Sequence, residues 1–107
     1  MGKGRRKRPA RLGEKLAAIR RSFGLSQNEM LRRLELDDEL TREELSAYER
    51  GVREPSLLTL LAFARAAGII MDLLVDDKLN LPARLPATSK RASGAGSVEQ
   101  TRRQRQR

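Results

Sequence analysis

Two tetrapeptides fix where helices start in this chain. Ser26-Gln27-Asn28-Glu29 and Thr41-Arg42-Glu43-Glu44 each place a hydroxyl residue three positions before a glutamate. At that spacing the hydroxyl accepts the N–H three residues on, while the carboxylate reaches back to the hydroxyl residue's own N–H. Glycines mark the stops. Gly24, Gly51 and Gly68 each close a stretch of helical pattern, and glycine adopts at little cost the left-handed conformation that ends a helix. Starts and stops this close together allow only short helices.

The apolar spacing agrees. Leu12, Leu16, Ile19 and Phe23 form one stripe of a helix that stops at Gly24. Met30, Leu31 and Leu34 line the second helix, and Leu45 and Tyr48 face inward on the third, which ends at Gly51. Ser56 caps a fourth helix from Leu57 to Ala67, whose leucines are expected in the core with one edge left for a dimer. A short fifth turn, capped by Asp72, carries Leu73, Leu74 and Val75. No strand-like alternation of useful length interrupts this, so an all-α fold of five helices is expected.

The formal charge of +9 is unevenly placed. Residues 1–11 carry Lys3, Arg5, Arg6, Lys7, Arg8 and Arg11; residues 12–81 hold ten basic and thirteen acidic side chains; residues 82–107 carry seven basic ones and Glu99. A basic flexible arm at 1–11 and a disordered Pro/Ser/Gly/Arg-rich tail at 82–107, beginning with an extended "LPARLP" spacer, therefore flank a mildly acidic domain at 12–81. A polyanion would meet the arms first.

Other classes are excluded by what the chain lacks. It has no Cys and no His, so no disulfide, thiolate or imidazole metal site is available and the commonest general base is missing. No enzyme and no cofactor are expected. The longest apolar window, "AAGIIMDLLV", is broken by Asp72 and too short for a bilayer; a cytoplasmic, nucleoid-associated protein with no membrane contact is expected.

Taken together, "LGEKLAAIRRSFGLSQNEMLRRL" followed by "LTREELSAYERGVREPSLLTLLAFARAAGI" resembles the phage-repressor, or xenobiotic-response-element (XRE), type of helix-turn-helix. The resemblance spans roughly Leu12 to Asp76 and rests on "GLSQ", "ERG" and "REPS" in that order. It implies a lambda-repressor-like five-helix domain that binds double-stranded DNA, with the helix around Arg42 to Arg50 entering the major groove. It also implies roles by position. Gln27 matches the family's phosphate-clamping glutamine; Arg42, Glu43 and Ala47 face base edges, with Ser46 beside them; Arg50 and Arg53 lie near the backbone. Arg20 and Glu49 match an internal ion pair between the first and third helices.

Two features depart from the family pattern. The connector from Leu34 to Thr41, "ELDDEL", is several residues longer than the usual turn, so that the second helix extends or the third tilts. The start of the third helix, "REE", is acidic for a surface that approaches phosphates.

Side-chain chemistry leaves several roles open. Arg42 can donate twice to a guanine or join a surface ion pair. Glu43 can accept from a cytosine amino group or stay solvated, and Glu44 belongs to the cap. Lys3, Arg5, Arg6, Lys7 and Arg8 suit either solubility or a DNA-embracing arm. The expected function is a sequence-specific DNA-binding regulator, a homodimeric repressor. Its rivals are an antitoxin with a toxin partner and a protein-interaction adaptor that has lost DNA binding.

Overall fold

The computed structural model describes residues 8–87. Five helices follow in order: α1 (Leu12–Phe23), α2 (Gln27–Arg33), α3 (Arg42–Glu49), α4 (Leu57–Ala67) and α5 (Met71–Val75). No strand occurs among the described residues, and the fold is all-α as expected.

Both capping boxes form. The Ser26 and Thr41 hydroxyls each accept the backbone N–H of the glutamate three residues on, and each glutamate accepts in return. Ser56 caps α4 by accepting the Thr59 N–H. Asp72 does not cap α5: Ile70 holds that position without a side-chain bond, and Asp72 lies inside the first turn. A carboxylate there still suits the positive end of the helix.

Four helices end in the same paired backbone bonds around a left-handed residue. Gly24 N–H donates to Arg21 O and Leu25 N–H to Arg20 O; the same pattern recurs at Gly51–Val52 and Gly68–Ile69. The fourth case uses Glu35, at φ 60°, with Leu36 N–H donating 2.8 Å to Leu31 O. The long connector therefore does not extend α2. It closes α2 after Arg33 and turns so that Leu36 and Leu40 pack, half-buried, against the core.

That core joins Leu16 and Ile19 of α1, Met30 of α2, Leu45 of α3, Phe63 of α4 and Leu74 of α5, all fully buried. It continues past the expected boundary at residue 81: Leu85 is 2% exposed and belongs to the core cluster. The segment before it folds back because Leu81 and Leu85, four positions apart, both find apolar partners there. Residues 88–107, the rest of the expected tail, lie outside the described residues. The leucines of α4 also divide: Leu60 is buried, whereas Leu57 and Leu58 are 74% and 76% exposed.

Lys15, a charged residue, is buried in this interior at 2% exposure. Its ammonium donates to the carbonyls of Leu73 (2.8 Å) and Asp76 (2.9 Å) at the end of α5. Those carbonyls have no helical partner, and a cation at a helix C-terminus is favourable. Burial pushes the Lys15 pKa down, with the nearby Arg11 charge acting the same way.

Candidate nucleic-acid interface

α3 turns a polar side outward. Arg42, Glu43 and Arg50 are exposed and Ser46 is half-buried, and their spacing of three, four and seven residues places them on one helical face. Arg42 Nη2 lies 3.4 Å from Glu43 Oε2, with the side chains 54% and 77% exposed. So open a pair is weak, and both groups remain available to a ligand. Arg50 Nε donates 3.2 Å to Ser46 Oγ one turn back, which steadies the guanidinium over the end of the helix.

Glu44 is occupied by the cap of Thr41. Ala47, one turn on from Glu43, is 7% exposed, and its carbonyl accepts the Val52 and Arg53 N–H groups of the following loop.

One carboxylate ties this face to the rest of the domain. Glu49 accepts Arg20 Nε at 2.8 Å and Arg20 Nη2 at 3.0 Å, and also accepts Gln27 Nε2 at 3.1 Å. Arg20 Nη1 donates to the Leu25 carbonyl in the α1–α2 turn. The Glu49 hydrogen bond holds the Arg20 guanidinium more firmly protonated, against the opposing effect of burial. Three helices thus share one node, which orients the half-buried Gln27 at the start of α2 relative to α3. The expected ion pair is present, and Gln27 joins it.

Beyond α3 the loop carries Arg53, exposed, to the edge of a cleft of about 230 Å³. The same cleft is lined by Arg8, Pro9 and Ala10, the root of the N-terminal arm. Lys3, Arg5, Arg6 and Lys7 lie outside the described residues. Arg11 does not behave as part of a free arm: its guanidinium donates to the Asp77 carbonyl and to Asn80 Oδ1, each at 2.8 Å.

The helix-turn-helix family profile matches residues 16–74, more than half of the chain. The chain belongs to the helix-turn-helix family, in its XRE type. No curated protein and no solved structure matched it. The family is one of DNA-binding transcriptional regulators and not an enzyme family. In this helix-turn-helix protein α2 and α3 form the motif, and α1, α4 and α5 hold it. No helix among the described residues is long and apolar enough to cross a membrane.

Three residues that position the motif escaped the sequence. Gly13 sits inside α1 with no turn signal around it, Lys15 reads as an ordinary surface lysine, and Asp77 reads as one more acid of the domain. Each acts through a partner 35 or more positions away, a distance at which local pattern carries no information.

Proposed function

We propose that the protein is a sequence-specific repressor that binds a two-fold operator as a homodimer, reading the major groove with α3. The observation that carries this is the exposed face of Arg42, Glu43, Ser46 and Arg50 on a helix fixed to α1 and α2 through Glu49. Rigidity matters because base contacts discriminate only when the donors are held in register. Gln27, Arg50 and Arg53 serve the flanking phosphates. Occupation of a promoter by the dimer blocks transcription by occlusion.

Dimer formation draws support from Val52, Leu57 and Leu58, exposed by 57%, 74% and 76% along the α3–α4 loop and the first turn of α4. Half-sites one helical turn apart bring two copies together near the ends of their reading helices, and this apolar edge follows directly on α3. The five cations from Lys3 to Arg8 supply a sequence-independent, salt-dependent share of the affinity, which the mildly acidic domain lacks.

Selection of bound duplexes from a random DNA pool tests the reading. The expected product is a motif with two-fold symmetry; recovery of DNA without any enriched sequence overturns it. Leu58→Glu should keep the helical content of the wild type but reduce dimer content in sedimentation.

A further inference from the structure

The root of the basic arm is held by a residue outside the family match. Asp77 lies two positions beyond α5, and its carboxylate accepts two backbone N–H groups: Ala10 at 2.8 Å on Oδ2 and Arg11 at 2.9 Å on Oδ1. Arg11 closes the loop from the other side by donating to the Asp77 carbonyl and to Asn80. Four hydrogen bonds thus join segments more than sixty residues apart. Immediately upstream of the latch, Arg8 and Pro9 line a cleft together with Gly51, Arg53 and Pro55. Arg8 and Arg53 therefore border one cleft at the C-terminal end of the reading helix.

We propose that Asp77 is a positioning residue for DNA binding, latching the arm root so that the arm leaves the domain beside the loop after α3. This rests on the reading that the arm's cations meet phosphates. From Arg8 the seven preceding residues reach at most about 25 Å, so where the root is fixed decides which phosphates they can meet. Asp77 is half-buried, so its carboxylate adds only modestly to the stability of the fold; fixing the direction of a charged segment is a use that partial exposure does not diminish. The two N–H groups hold the Asp77 carboxyl below its ordinary range, with Lys15 and Arg11 acting in the same sense, so it is ionised at neutral pH.

The latch predicts an effect opposite in sign to simple electrostatics. Removing a carboxylate from a protein that binds a polyanion should strengthen binding through space. Removing the latch should weaken it, because DNA binding must then itself order the backbone at Ala10 and Arg11. The experiment compares full-length wild type and Asp77→Ala on mixed-sequence duplex DNA across a salt series. Both are then repeated in a chain with Lys3, Arg5, Arg6, Lys7 and Arg8 changed to Gln, and thermal melting is recorded for all four.

Expected are a roughly tenfold loss for Asp77→Ala with the basic arm, a smaller loss for Asp77→Asn, which keeps one acceptor, and no loss for Asp77→Ala with the glutamine arm. Unchanged or tighter binding by Asp77→Ala with the basic arm overturns the latch. Equal losses in both backgrounds also overturn it and make Asp77 merely structural. If the glutamine arm itself binds as wild type at every salt concentration, the arm reading has failed and the latch with it.

Discussion

Gly13 of α1 stands against the main chain of α3 at Tyr48: a Cβ on Gly13 would lie 2.6 Å from the Tyr48 carbonyl oxygen and 2.7 Å from that of Glu49. Both obstacles are backbone, so neither can swing aside. The glycine thus sets how closely α1 and the reading helix approach. Gly13→Ala gains up to about 1 kcal/mol of helix propensity but must push α3 away, at a typical overpacking cost of about 1–3 kcal/mol. A net loss of stability is expected in thermal melting, together with weaker DNA binding because α3 has moved. Melting at or above the wild-type temperature would show that the two helices separate freely.

Glu49 is 7% exposed at its side chain and Arg20 18%. Arg20→Ala leaves that carboxylate with Gln27 as its one remaining side-chain partner. Stranding a buried charge costs about 3–5 kcal/mol, and the residual exposure of Arg20 places this pair at the lower end, about 3 kcal/mol. Denaturant titration should show it as a lower midpoint with unchanged slope. A wild-type midpoint would mean that water replaces Arg20 at no cost.

Positioning and reading separate at Gln27 and Arg42. Gln27→Ala should weaken binding about equally on all sequences, because phosphate contacts carry no base information. Arg42→Ala should relax preference at a single base position, by about 1–3 kcal/mol. Parallel selections with the two variants measure this directly. An unchanged motif for Arg42→Ala assigns that guanidinium to the backbone or to its partner Glu43.

Glu35 pays the left-handed penalty that glycine avoids. Glu35→Gly should stabilise the domain by about 1 kcal/mol, since the strain relieved exceeds the entropy that glycine regains on unfolding. Chemical denaturation reads the sign, and a destabilised variant would point to a contribution of the Glu35 side chain that outweighs the strain.

Lys15 makes stability depend on alkaline pH. Its pKa is lowered in the folded state from the ordinary 10.5, mainly by burial, so between the two values the unfolded chain binds more protons. Stability contributed by this site therefore rises as pH increases through that window. Lys15→Met should abolish this slope and, by stranding the Leu73 carbonyl, lower stability at neutral pH by about 1–3 kcal/mol; the Asp76 carbonyl keeps the Leu79 N–H. Equal pH slopes for wild type and Lys15→Met would assign the alkaline behaviour to other groups.

What the sequence determined by itself is local. Ser26, Thr41 and Ser56 start their helices, and Gly24, Gly51 and Gly68 stop theirs, because cap chemistry acts over four or five residues of chain. The stripe from Leu12 to Phe23 named its own buried face for the same reason, and the family pattern carried the Arg20–Glu49 pair. The fourth helix stop, at Glu35, was invisible because no glycine marks it; it is imposed by Leu36 and Leu40 turning toward the core. Tertiary structure alone exposed Leu57 and Leu58 and drew Leu85 into the interior. It alone brought Asp77 to the arm root and Gly13 to the carbonyl of Tyr48. Those relationships depend on how helices distant in sequence pack together, and burial and close approach are properties of that packing rather than of any single stretch of chain.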